Sequence, residues 1–90
     1  MKILYFAWLR ARTGRAEEEV APPPEVATVG ELLQWLRGLS PGHGEALADL
    51  SVVRVAVNQE FAKPETPVAA GDEVALFPPV TGGGGRGSEP

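Results

Sequence analysis

Few residues in this chain have the type and spacing to do side-chain chemistry. His43 is the single histidine and stands between Gly42 and Gly44, so no histidine pair or metal cluster can be built around it, and it reads as a solvated loop residue. Glu17, Glu18, Glu19, Asp72 and Glu73 offer carboxylates, but a general acid and base need a shaped pocket to separate their pKa values. Edge strands and turns seldom supply one, so these read as solvated charges, the acidic run also blunting an exposed edge. There is no cysteine, which excludes disulfides, thiolate metal sites and a cysteine nucleophile. The run Gly82 to Gly87 lacks the Lys-Ser or Lys-Thr and the following helix that a phosphate loop requires. What remains is the main chain itself. Residues 73 to 83 form a short apolar strand that leaves through Pro78-Pro79, which cannot donate to a sheet and hold the exit extended, into glycines that carry no side chain to obstruct a narrow slot. A tail that is stiff and then bare is suited to insertion into another molecule.

Composition limits the body that presents this tail. Ninety residues with 43% hydrophobic content make one domain with a small core. The net charge is −4 and the arginines form no dense cluster, which argues against nucleic acid as a partner. The apolar run from Ile3 to Leu9 is too short to span a bilayer and lacks a signal-peptide cleavage pattern, so the expected location is cytoplasmic, with no membrane partner.

The elements that must position the tail can be read in order. Residues 2 to 9 are rich in aromatic and branched side chains and predict a first strand, with Ile3, Tyr5, Ala7 and Leu9 on one face and Leu4, Phe6, Trp8 and Arg10 on the other. Residues 12 to 15 turn at Gly14, and 16 to 21 return as a weak acidic edge strand that Pro22-Pro23-Pro24 stops. Thr28 with Glu31 three residues on is a capping box, and Val29, Leu32, Leu33 and Leu36 fall at helical spacing until Gly38. Residues 43 to 50 fit a single helical turn or a loop equally. Val52 to Asn58 is the clearest strand, a turn follows at Asn58-Gln59-Glu60, and residues 61 to 68, broken by Pro64 and Pro67, are edge strand or loop. In the last strand Val74 and Leu76 share one face while Glu73, Ala75 and Phe77 share the other. The result is an α+β roll: a mixed sheet with one main helix on one face, in which the crossover helix lets two long apolar strands lie parallel in the middle. Residues 1 to 80 make the domain and 81 to 90 a Gly-rich tail too polar to fold. Phe6 and Phe77 fall on the non-core faces of the first and last strands, side by side in this topology, and Phe61 begins a segment near them; three phenylalanines on one face suit a protein partner, or else a second small core under a loop.

Three stretches carry a family resemblance: Phe6-Ala7-Trp8-Leu9-Arg10 with Gly14; Ala56-Val57-Asn58-Gln59; and residues 71 to 83, ending Phe77-Pro78-Pro79-Val80-Thr81-Gly82-Gly83. In this order they resemble the small sulfur-carrier subunits of molybdopterin synthase, the last stretch most specifically. The resemblance implies a ubiquitin-like β-grasp fold and no enzymatic activity by the chain alone. It implies that sulfur is carried as a thiocarboxylate on Gly83, with Gly82 before it, after an E1-like adenylyltransferase has used ATP to activate the glycine carboxylate and a sulfur donor has converted it. No bound cofactor and no metal is expected. The tail would enter the large catalytic subunit, forming a heterotetramer, where two sulfur transfers make the dithiolene of molybdopterin. Val80 to Gly83 fully extended span roughly 13 Å, enough to reach a buried site while the body stays outside. Phe6, Phe61 and Phe77 match the family's apolar contact positions, Pro78, Pro79, Val80 and Thr81 its stalk, and Arg10 a position near the tail's base.

One departure bears on the chemistry. The family ends at the glycine pair, whereas Gly84-Gly85-Arg86-Gly87-Ser88-Glu89-Pro90 follows here, so Gly83 ends in an amide where a free carboxylate is needed. Proteolytic maturation after Gly83, an added or mis-assigned tail, or a relative that has lost sulfur transfer would each account for it. Delivery of sulfur to thiazole or another pathway, and a β-grasp interaction module whose tail is never processed, are the alternatives.

Overall fold

The computed structural model describes residues 1 to 79, so Val80, Thr81, Gly82 and Gly83 and the boundary expected at residue 80 lie outside the described residues. Five strands form one sheet in the order β2-β1-β5-β3-β4, with β1 at Lys2–Tyr5, β2 at Glu17–Glu19, β3 at Arg54–Val57, β4 at Glu60–Ala62 and β5 at Glu73–Phe77. β1 and β5 run parallel at the centre, Ile3 opposite Val74 and Tyr5 opposite Leu76, while β3 is antiparallel to β5. The strand that leads into the tail is therefore the middle one.

Side-chain alternation turns Ile3, Tyr5, Val55, Val74 and Leu76 to one face, where they meet Val29, Leu32, Leu33 and Leu36 in a single buried cluster. Those four belong to helix α2, Val29–Arg37, whose capping box forms as the sequence predicts: the Thr28 hydroxyl accepts from the Glu31 N–H at 3.3 Å, and the Glu31 carboxylate accepts from the Thr28 N–H at 3.2 Å.

The first strand is shorter than its apolar run. It stops at Tyr5, and Trp8 and Leu9 open a helix, α1, over Trp8–Thr13. The break is Ala7, at φ 56° and ψ −131°, after which the Ala11 N–H bonds the Ala7 carbonyl at 3.2 Å. Leu9 still reaches the core, fully buried, from the helix instead of from the strand. Gly14 closes α1 in the left-handed conformation at φ 80°, the helix C-terminal role in place of a plain hairpin turn. Of the ambiguous stretch 43 to 50, residues 43 to 46 are helical: α3 spans Pro41–Ala46, with the Ser40 hydroxyl accepting from the His43 N–H at 3.2 Å and proline at the first position. α3 packs on α1 so closely that a Cβ on Gly42 would stand 2.5 Å from the Arg12 carbonyl oxygen, so only glycine fits there. A 3-10 turn, Leu50–Val52, leads into β3.

Candidate functional site at the root of the tail

The face of the sheet turned away from α2 is built in rows by the strand register. One row runs Leu4, Ala75, Ala56, Phe61 across β1, β5, β3 and β4, and the next sets Phe77 opposite Arg54. Phe6 continues the β1–β5 ladder just past the strand end, its N–H bonding the Leu76 carbonyl at 3.1 Å, which puts it beside Phe77 in sequence register. The two alanines in the middle leave a shallow floor, and the aromatics rise at its margins. Phe61 is 84% exposed and Phe6 48%, while Phe77 is half-buried with its ring 5.9 Å from that of Phe61 and tilted 56° to it. Large apolar side chains this open are what a monomer hides and an interface uses. Pro78 and Pro79 follow at once, half-buried, so the tail leaves from the edge of this aromatic face.

The structure brings Phe61 and Phe77 together and sets Phe6 at the same end. Arg10 is exposed on α1, and its side chain makes no hydrogen bond or ion pair among the described residues. Arg54 is the residue of this face that sequence reasoning did not single out. Its guanidinium donates to the carbonyls of Ser51 at 3.0 Å and Val53 at 3.4 Å, which holds a positive charge next to Phe77. Alternation along β3 sets it on the face opposite to Val55, and the β3–β5 register shows what it stands beside.

His43 is not a solvated loop residue, and Glu18 is not a free edge charge. His43 is 2% exposed, with Nε2 2.6 Å from Glu18 Oε2 and Nδ1 2.7 Å from the Ser40 hydroxyl. The Tyr5 hydroxyl donates to the same Glu18 oxygen at 2.5 Å, Arg15 donates to the other at 2.9 Å, and the Tyr5 and His43 rings meet edge-on at 5.9 Å. Burial by itself would raise the Glu18 pKa, but the hydrogen bonds from His43 and Tyr5 and the charges of His43 and Arg15 outweigh it and hold the carboxyl below its ordinary value. Burial and the neighbouring carboxylate push the Tyr5 hydroxyl far up, so it stays a neutral donor. An ionised carboxylate accepts only, which fixes a proton on Nε2. Ser40, His43 and Glu18 are linked in series as in a hydrolase, but the serine oxygen caps α3 and the imidazole faces inward. The cluster ties β1, β2 and α3 together and presents no nucleophile.

At the other end of the sheet, Asn58 Nδ2 donates to Asp72 at 3.1 Å and Asn58 Oδ1 accepts from the Glu73 N–H at 3.1 Å, stitching the β3–β4 turn to the start of β5. The Asp72 carboxylate is thus structural at this end, whereas Glu73 takes part through its main-chain N–H. Among the described residues no group of three or more His, Asp or Glu could hold a metal ion, and no helix is long and apolar enough to cross a membrane.

A mixed five-stranded sheet with parallel first and last strands at its centre and α2 on one face defines a ubiquitin-like β-grasp domain. It superposes on the crystal structure of SAMP1 from Haloferax volcanii with a TM-score of 0.72 and 36% identity, over 92% of this chain and 98% of that one. Residues 3–83 match the ThiS family model, and the chain belongs to the ThiS family. It is 41% identical over 83 residues to the molybdopterin synthase sulfur carrier subunit of Escherichia coli K12, covering 92% of this chain and 99% of that protein. Over 65 residues it is 43% identical to small archaeal modifier protein 1 of Haloferax volcanii, covering 63% of this chain and 71% of that protein.

Proposed function

We propose that this chain is a sulfur-carrier subunit of molybdopterin synthase, active through Gly83 as a C-terminal thiocarboxylate once residues 84–90 have been removed. The observation that carries this is the 41% identity to a sulfur carrier subunit over 99% of that protein's length. The supporting geometry is the aromatic face beside Pro78-Pro79, which suits a body that docks while its tail extends. Side chains take no part in the bond changes. The Gly83 carboxylate attacks the α-phosphorus of ATP on an adenylating partner, releasing pyrophosphate and leaving an acyl-adenylate. A reduced sulfur nucleophile from a donor then attacks the acyl carbon and AMP departs with one of the original carboxylate oxygens. The large subunit of the synthase receives the sulfur, and cytoplasmic location follows from where such partners work. Phe6, Phe61 and Phe77 supply the apolar contact, Arg10 and Arg54 flank it with positive charge, and Val80 and Thr81 continue the stalk.

Intact mass of the protein recovered from cells making the cofactor tests this. The expected species ends at Gly83 with a companion about 16 Da heavier, sulfur standing in place of oxygen. Recovery of the 90-residue chain alone under those conditions would overturn the reading. A second reading, favoured by the resemblance to a small archaeal modifier protein, is that the activated glycine is passed to a protein amine; the same sample would then contain Gly83 joined to lysines of other proteins.

A further inference from the structure

Ala7 carries a side chain where the backbone asks for none. Its φ of 56° and ψ of −131° correspond to the first central position of a type II′ turn, which glycine fills in most proteins because a Cβ there collides with the neighbouring peptide. The conformation is held by main-chain bonds on both sides: Phe6 N–H to the Leu76 carbonyl at 3.1 Å, Leu9 N–H to the Phe6 carbonyl at 3.1 Å, and Ala11 N–H to the Ala7 carbonyl at 3.2 Å. Glycine would make every one of these. They account for the bend and leave the methyl group unexplained.

Nor does packing within the chain account for it, because Ala7 is exposed. A strained residue persists when something over-determines it, and such residues gather at functional sites. Here the strained residue adjoins Phe6, which is in sequence register with Phe77 at the end of the sheet where the tail leaves. We infer that Ala7 is a further contact residue of the docking face, its methyl group closing into an apolar recess of the large subunit that also covers Phe6. The inference rests on the proposed function, since it takes the aromatic face to be the surface that meets that subunit. The free chain holds the bend under strain, and the lost stability is recovered when the methyl is buried.

Two substitutions test it, each measured by thermal unfolding of the free chain and by titration calorimetry against the cognate large subunit. Ala7→Gly relieves the strain and removes the methyl, so the melting temperature should rise by roughly 5 °C while affinity falls ~3- to 5-fold. Ala7→Ser keeps the Cβ and adds a hydroxyl that an apolar recess rejects, so melting should stay within about 2 °C of the parent while affinity falls by a similar factor. Parent-like affinity in both variants overturns the inference, as does a lower melting temperature for Ala7→Gly. If serine binds as well as alanine while glycine binds worse, the residue positions Phe6 and makes no contact, and the inference is again wrong. Failure of the unsubstituted chain to bind the large subunit would instead sink the proposed function on which it stands.

Discussion

The two faces of the sheet put their apolar side chains to opposite ends. The face under α2 closes Ile3, Tyr5, Val55, Val74 and Leu76 against leucines, and it admits one ionic cluster only because every member is bonded to another. The opposite face has alanines where the covered one has valine and leucine, and it leaves Phe6 and Phe61 in the open. The contrast shows that burial depends on what lies above a strand as well as on the residue types within it. Leu76 and Phe77 are neighbours on one strand, yet one is fully buried and the other only half-buried.

Adjacent substitutions should separate the faces most sharply. Leu76→Ala opens a cavity between the central strands and should cost about 3 kcal/mol of folding stability, read from the denaturant midpoint. Phe77→Ala should leave folding within ~1 kcal/mol of the parent but weaken binding to the large subunit by about 2 kcal/mol, roughly 30-fold, in a titration. Equal losses of stability in the two variants would erase the distinction. A smaller effect is expected within the covered face: Tyr5→Phe removes one donor to Glu18 while His43 and Arg15 remain, so stability should drop by about 1 kcal/mol with binding unchanged.

The smallest effect is on pH. Glu18 titrates lower in the folded chain than in the unfolded one, so its contribution is fully present above the unfolded carboxyl value and fades as pH falls through the folded one. The melting temperature of the parent should therefore decline more steeply on acidification below about pH 5 than that of Glu18→Gln. Parallel curves would remove Glu18 from the account.

Most of the frame is legible in the residues because it is fixed by near neighbours. Thr28 and Glu31 announce α2 from three positions apart, and the alternation Val74, Leu76 against Ala75, Phe77 sorts the last strand correctly. Two misreadings have separate physical origins, one in a single backbone conformation and one in a contact between distant parts of the chain. The apolar run from Ile3 to Leu9 shows no interruption, since Ala7 is an unremarkable residue until its backbone is seen, and so α1 was hidden inside a longer strand. Gly14 after Trp8 and Arg12, four apart and stacked as cation on ring at 5.0 Å, was the local sign of a helix end. His43 looked solvated between two glycines because its partner, Glu18, is 25 residues away. Of the aromatic face, Phe77 could be placed from alternation alone, whereas Arg54's neighbour and the alanine floor become visible only through register.

The central place of β5 has a mechanical consequence. A pull on the residues beyond Pro79 loads β5 along its own axis, and that strand is laddered to β1 on one side and β3 on the other. To come free it must slide against both neighbours at once, breaking many bonds together, whereas an edge strand could peel away one bond at a time. The tail is thus anchored at the point of the body best able to resist traction.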